Sequence, residues 1–453
     1  MKRRTNSPFD VDVVEQGVRE RAGWVRCEIG ENLKLEPSAI HSYFLTPWNC
    51  LVYDALVLAA GIKFCDLSKR RSTRSWNREF RLRVPVHDPD RWNVREVVEL
   101  LRSALRTVTG DSWRIEFKGR NSRFNPDVST FAAPLDPGVV LPYSDGLDSL
   151  AVSMILEREL SIPVYRFRLG SCRSRNRECK NAANSFARVP IHVKCDRRES
   201  SARSRGFIIA LLGAIVARLT GSNRIVIPES GIGVLGPMLV TVGQAYEDCR
   251  CHPVFLGKMM HLVKVLLDHE VRYEHPRLWY TKAETLRESM HDKTDCQAFL
   301  NTRSCWQDAR QVSVSGTMRQ CGICSACVYR TMSLRAIGCD EDRGAYVWED
   351  LSAARFEDGA AAKYNKRNQP GILRSYAVAG CKQLDNLANL CSLRGGGSAM
   401  DRCCIQLARS LRLPGAEISG NLRQLIGRHR DEWHGFLASL GPSSFVAQWV
   451  RRR

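Results

Sequence analysis

A buried-strand pattern that runs into a small polar turn and then a helix constrains this chain most: Val139-Val-Leu-Pro-Tyr-Ser-Asp-Gly-Leu-Asp-Ser-Leu-Ala-Val-Ser153. Val139, Val140 and Leu141 make a short continuous apolar run, as in a strand covered on both faces. Ser144-Asp-Gly-Leu-Asp-Ser149 supplies turn formers. Leu150, Val152, Met154, Ile155 and Leu156 then recur at helical spacing. The alternation continues, with strand patterns at 163–169, 191–194 and 224–228 and a strongly apolar helix at 204–217. Such alternation requires a parallel sheet with helices on both faces, and ligands of such sheets bind at the carboxyl ends of the strands. The expected class is α/β.

The turn itself has two readings. In one it is an ordinary strand-to-helix connection with Asp148 or Ser149 as helix cap. In the other it binds an anion, because free amides and the helix dipole converge there, Ser144 and Ser149 add hydroxyls, and Gly146 admits close approach. The turn after the 224–228 strand, Glu229-Ser-Gly231, also leaves a strand end. So does a basic stretch with Arg173, Arg175, Arg177 and Lys180, which reads equally as a solvated loop or as a phosphate-facing one.

Three regions are expected. Residues 1–134 form an α+β domain, with an ambiguous apolar run at 51–60, an alternating strand at 76–86, a helix at 90–107 and a strand at 113–117. Residues 135–345 carry the α/β core. Residues 346–453 are a helical extension, with helices at 373–393, 400–411 and 422–440. No apolar run reaches membrane-spanning length, and the basic N-terminus lacks the apolar segment of a secretory signal, so a cytoplasmic location is expected, with no membrane partner. The formal net charge of +20 favours anionic partners, among them nucleotides and nucleic acid.

Most of the 18 cysteines are scattered (Cys27, Cys50, Cys65, Cys381, Cys391) and read as small buried hydrophobes. Cys321-Gly-Ile-Cys-Ser-Ala-Cys327 is different. It gathers Cys321, Cys324 and Cys327 in one knuckle, with Gly322 for the tight turn. Cys305 is the favoured fourth ligand of a structural Zn2+, Cys296 and Cys339 are rivals, and an iron–sulfur cluster is the alternative cofactor. Upstream, Thr281 starts a helix with Glu284 in its first turn. Lys282 then stands at a helix entrance, unfavourable unless it faces an anion.

Together these segments resemble the QueC (7-cyano-7-deazaguanine synthase) family of N-type ATP pyrophosphatases. Ser144-Asp-Gly-Leu-Asp-Ser149 is similar to the family's S-G-G-x-D-S pyrophosphate loop. Residues 205–217 are similar to its R-N-x-x-F-x-x-x-A-x-x-x-A helix, and Pro276-Arg-Leu-Trp-Tyr-Thr-Lys-Ala-Glu-Thr285 to its P-x-x-W-x-x-K-A-E-T segment. The cysteine set completes the match, which covers 139–340. The longer first region, including Trp76-Asn-Arg78 and Thr109-Gly-Asp111, resembles more weakly the QueC-like proteins of anti-phage defence operons, such as QatC of the Qat system and the component of type IV CBASS. The chain departs from the pattern at Asp145 (a glycine in the family), at Gly206 (an asparagine), and in lacking the family's Y-G-Q-R-H segment.

The resemblance implies a PP-loop fold and ATP-dependent adenylation of a 7-carboxy-7-deazaguanine-type carboxylate, then transfer to ammonia or to a partner protein's N-terminal amine. It implies that Ser144, Asp145, Gly146, Leu147, Asp148 and Ser149 hold ATP pyrophosphate, with Mg2+ near Asp148. Lys282 and Arg205 would neutralise phosphate charge, and Glu284 would orient Lys282. It also implies partner proteins encoded nearby. The other readings are an adenylase acting on tRNA or other nucleic acid, and a non-catalytic nucleotide-binding subunit of a defence complex.

Overall fold

The computed structural model describes every residue except 1–6, 37–39, 41–43, 45, 47–48, 73–74, 76, 122–134, 145, 170–185, 190, 244, 308–311, 365–369 and 452–453. In chain order its strands are β1 (Phe9–Val14), β2 (Val25–Glu28), β3 (Leu33–Leu35), β4 (Glu79–Val86), β5 (Ser112–Gly119), β6 (Val139–Pro142), β7 (Val164–Leu169), β8 (Ala187–Val189), β9 (Ile191–Val193), β10 (Arg224–Val226), β11 (Arg272–Glu274), β12 (Ser313–Val314) and β13 (Thr317–Met318). The longer helices are α1 (Cys50–Ser68), α2 (Arg95–Thr109), α3 (Leu147–Glu159), α4 (Arg205–Leu219), α5 (Gly231–Leu239), α6 (Pro253–Leu267), α7 (Lys282–Ser289), α8 (Asp295–Leu300), α9 (Ser325–Ala336), α10 (Pro370–Ala388), α11 (Gly396–Leu411), α12 (Gly415–Leu440) and α13 (Phe445–Val450). They fall into two compact units. The first holds Met1–Tyr143, Leu160–Ile227 and Cys249–His275, and the second Ser144–Glu159, Pro228–Asp248 and Pro276–Arg453.

The first unit is built on two parallel sheets. One has the order β2-β1-β4-β5 with every pairing parallel. The α+β expectation for this region is therefore corrected. The helical pattern between β4 and β5 is a crossover, and a crossover returns the second strand parallel to the first. The ambiguous apolar run at 51–60 is part of α1, which Asn49 starts by accepting from the amides of Leu51 and Val52 at 3.0 and 3.3 Å. Gly110, at φ 72°, ends α2 in the left-handed conformation a helix stop favours.

The other sheet has the order β11-β10-β6-β7-β8, again parallel throughout. Strand order reverses between β6 and β10, which makes that gap the topological switch point of an open α/β sheet. The strand expected at 191–194 forms as β9, but it pairs antiparallel with β3; the sheet edge is taken by β8 just before it. The helix α4 is buried along most of its length, which its nearly all-apolar sequence requires. One continuous core joins Val11, Leu56, Leu82 and Trp113 of the first sheet's layer to Val140, Phe167, Leu212 and Ile225 of the second's.

An ionic network is sealed inside this unit. Arg78 pairs with Asp66 and, at 2.8 Å, with Asp111. Arg71 adds a two-pronged contact to Asp111 at 2.8 and 2.9 Å. The Ser204 amide, one residue before α4, donates to Asp66 at 2.8 Å. The segments Asn77-Arg78 and Thr109-Gly-Asp111 are thus partners in space: Asp111 also accepts the Arg78 amide at 2.9 Å.

In the second unit α3, α5, α7 and α9 surround the residues discussed below. The helical extension forms as expected: the helix at 422–440 is part of a single element, α12, and the short α13 follows it. Its apolar stripe, Ile418, Leu422, Leu425, Trp433 and Phe436, is buried, and the Trp433 indole donates to Asp385 of α10 at 3.0 Å. Among the described residues no helix is long and apolar enough to cross a membrane.

Candidate functional site

The turn before α3 is tied together by its own serines. The Ser144 amide donates to Ser149 Oγ at 3.1 Å, the two hydroxyls lie 3.0 Å apart, and the Gly146 amide donates to Ser144 Oγ at 3.1 Å. The first helical bond of α3 runs from the Leu150 amide to Gly146 O at 3.3 Å. The amides of Leu147, Asp148 and Ser149 precede it and have no carbonyl acceptor within the helix. With the helix dipole behind them, they form an end suited to an anion. Leu147 itself points into a buried apolar cluster with Ala151, Leu286 and Phe299, so its contribution is its backbone. Asp145 lies outside the described residues, as do Arg173, Arg175, Arg177 and Lys180.

Lys282, 134 residues downstream, is ion-paired through Nζ with Asp148 Oδ2. The other carboxylate oxygen of Asp148 accepts from Ser230 Oγ at 3.3 Å, and that hydroxyl lies 3.0 Å from Thr285 Oγ1. Local sequence explains why Lys282 sits here. Thr281 Oγ1 accepts from the Glu284 amide at 3.2 Å while Glu284 Oε2 accepts from the Thr281 amide at 2.8 Å, a reciprocal capping box that starts α7 at Lys282. The Lys282 amide donates to the Tyr329 hydroxyl at 3.2 Å, and its Nζ lies 5.1 Å from the centre of the Tyr329 ring. Burial first, then the nearby Glu432 and Asp148 carboxylates, push the Tyr329 hydroxyl well up, so it stays protonated at neutral pH.

Glu284 does not reach Lys282 through its carboxylate: that group closes the capping box and pairs with Arg428 at 2.8 Å. Arg205 opens α4 in the first unit, near enough to Lys63 to help lower that amine, although burial is the larger cause. Next to it, Gly206 has a packing reason. A Cβ there would come within 2.5 Å of Arg250 Cβ, so an asparagine does not fit this position.

The sulfurs of Cys305, Cys321, Cys324 and Cys327 lie within 4.8 Å of one another, with Cys321 and Cys327 at 3.7 Å. Zinc–sulfur bonds of about 2.3 Å in a tetrahedron separate the sulfurs by about 3.8 Å, so this set can hold a zinc ion. The backbone supports it: the Gln307 and Cys321 amides point at Cys305 Sγ at 3.4 and 3.2 Å, and the Cys324 amide at Cys321 Sγ at 3.2 Å. Gly322, at φ 81°, has Trp348 O where a Cβ would stand 2.7 Å away. Burial pushes the thiols of Cys321 and Cys327 well up, while the neighbouring thiols hold Cys305 down. A divalent cation lets all four act as thiolates. The rivals Cys296 and Cys339 are joined to each other in a disulfide, which leaves Cys305 as the candidate for the fourth ligand. Of the scattered cysteines, Cys27, Cys65 and Cys381 are buried as expected; Cys50 and Cys391 are exposed.

Thr285, the last residue of the 276–285 segment, joins this constellation, and so do Ser230, Tyr329, Arg428 and Glu432, which have no motif of their own. For these four, only the turn after the 224–228 strand was a sequence signal, and it points to Ser230. Residues 207–338 match the family model described as Queuosine biosynthesis protein QueC. No curated protein matches the chain as a relative. The matched stretch begins after the Ser144 turn and Arg205, and it contains Ser230, Lys282, Glu284 and the four knuckle cysteines. Residues 207–338 are thus similar to that family, and Lys282 of that stretch is paired with the aspartate of the serine turn.

Proposed function

We propose that the protein is an ATP-dependent ligase with a PP-loop site, adenylating a 7-carboxy-7-deazaguanine-type carboxylate. The observation that carries this reading is the meeting of Lys282, from the QueC-like stretch, with Asp148 at the amide-rich start of α3. In the reaction, a carboxylate oxygen attacks the α-phosphorus of ATP, the bond to the β-phosphate oxygen breaks, and pyrophosphate leaves. An amine nitrogen then attacks the acyl carbon, the bond to AMP breaks, and the nitrogen gives up a proton. The amides of 147–149 and the hydroxyls of Ser144 and Ser149 would hold the leaving pyrophosphate. Lys282 would offset the charge that builds on it.

The ion pair suits exchange. Lys282 can turn from the carboxylate to phosphate while Asp148 turns to Mg2+, which when bound neutralises phosphate charge. The cysteine knuckle would hold Zn2+ as a structural ion, since four thiolates close its coordination sphere. The acceptor is either ammonia or the N-terminal amine of a partner protein, the second in keeping with a role in anti-phage defence. The test is pyrophosphate release from ATP, with 7-carboxy-7-deazaguanine and the proteins encoded beside this chain. Release that depends on the carboxylate supports the reading, and a mass gain on a partner protein identifies a protein acceptor. No release under any combination contradicts it.

A further inference from the structure

The helical extension has no motif of its own, yet α12 touches the cap that sets Lys282 in place. Glu432 Oε1 lies 2.5 Å from Thr281 Oγ1, the hydroxyl that caps α7. One turn earlier on the same face, Arg428 pairs with Glu284 at 2.8 Å and donates to Trp279 O at 2.5 Å. Both halves of the capping box, Thr281 and Glu284, are therefore gripped from outside by one helix. That helix is anchored independently: Trp433 and His429 are fully buried, bonded to Asp385 at 3.0 Å and to Leu384 O at 3.1 Å. A cap held only by its own two residues frays with the helix end; one clamped by a second helix does not.

We propose that α12 is a working part of the site, with Glu432 and Arg428 as positioning residues that hold the first turn of α7 so that Lys282 stays aimed at the start of α3. This rests on the ligase reading for what Lys282 does, but not for whether α12 holds it.

The clamp is built around a group that changes charge near neutrality. Burial chiefly, and then the Glu284 carboxylate, push Glu432 up to about 7, while Thr281, Arg287 and Arg428 pull it back. Tyr329 of α9 also faces it and keeps its proton, as described above. The raised value means that the closed clamp holds this proton more tightly than an exposed glutamate does, so the grip on α7 weakens as pH rises from 4.5 to about 7.

Hydrogen exchange of the amides at 281–289, read without nucleotide, tests the clamp directly. Glu432→Ala and Arg428→Ala are expected to speed exchange there while leaving α9 and the cysteine knuckle at wild-type protection. Unchanged exchange at 281–289 overturns the proposal. The pH profile of pyrophosphate release then separates positioning from bulk stability. Wild type is expected to show a limb near pH 7 that Glu432→Gln abolishes, while Glu432→Gln recovers most of the roughly tenfold or greater loss of kcat expected for Glu432→Ala. A limb that persists unaltered in Glu432→Gln contradicts the role of Glu432. If α7 loosens as described but wild type releases no pyrophosphate, the clamp stands and the ligase reading fails.

Discussion

Asp111 in the first unit and Asp148 in the second are both carboxylates facing a cation, and their surroundings differ in kind. Asp111 receives the Arg78 amide, the Arg78 guanidinium and a two-pronged contact from Arg71, with its side chain fully buried. Its lone pairs are used, and none of its partners is free to turn to a ligand. Asp148 meets one lysine and one serine hydroxyl, and its side chain and that of Lys282 keep 16% and 11% of their exposure. A saturated network fixes structure, because any exchange leaves a buried charge alone. An unsaturated pair at the amide-rich start of a helix can trade partners with phosphate and a cation. The comparison teaches that burial alone does not mark the site. What marks it is capacity left unused.

The largest effect is expected where the network is saturated. Arg78→Ala takes from the buried Asp66 its close ion pair and from Asp111 one of its two guanidinium partners, and its cost should be roughly 3–5 kcal/mol, read as a lowered urea midpoint. An effect below about 1 kcal/mol, as for an exposed pair, would erase the distinction between the two carboxylates.

Acid is expected to act next. His252, His275 and His429 are each pushed down to about 4, His252 by burial and then His275, and the other two mainly by burial. Their folded forms bind fewer protons than the unfolded chain, so stability is present above pH 6.5 and is lost as pH falls toward 4. Glu432 has the opposite sign. Raised to about 7, it binds more protons when folded, so its contribution falls as pH rises from 4.5 to 7. Each shift is worth up to about 3 kcal/mol, and the histidines outnumber the glutamate. Denaturation midpoints should therefore drop between pH 7 and 5, and drop more steeply in Glu432→Gln. A midpoint that rises on acidification would contradict these assignments.

The smallest effect belongs to Ser230→Ala. It removes a 3.3 Å contact to a partly exposed carboxylate and a 3.0 Å contact to Thr285 Oγ1, and should cost about 1 kcal/mol in unfolding experiments. If it costs as much as Arg78→Ala, the surroundings of Asp148 are as rigid as those of Asp111.

Much of this was legible in the chain. The strand–turn–helix stretch at Val139–Ser153, the Thr281 cap and the cysteine knuckle are local patterns, each fixed by residues close in sequence, and each forms where its spacing implies. The first region reads as α+β in sequence, and its sheet is parallel instead, because orientation belongs to the connection rather than to the strand. The 191–194 strand changed sheets because a triplet as short as Ile-His-Val fits either edge, and only tertiary packing selects one. The pairing of Cys296 with Cys339 was hidden by a separation of 43 residues. Glu432 and Arg428 were invisible for a related reason. On a helix, they read as part of a charged face, and only the packing of α12 shows that the face meets a cap.

The most direct test of the Asp148–Lys282 pair as a reacting centre is pyrophosphate release by Lys282→Gln beside wild type, with unfolding measured on the same samples. The predicted result is a loss of about 10²–10³ in rate, the size of removing one charge-stabilising donor. Stability should change by about 1 kcal/mol or less, as for a pair that still meets solvent. Equal rates for the two proteins, or a loss of rate matched by unfolding, would show that Lys282 is a structural residue like Arg78.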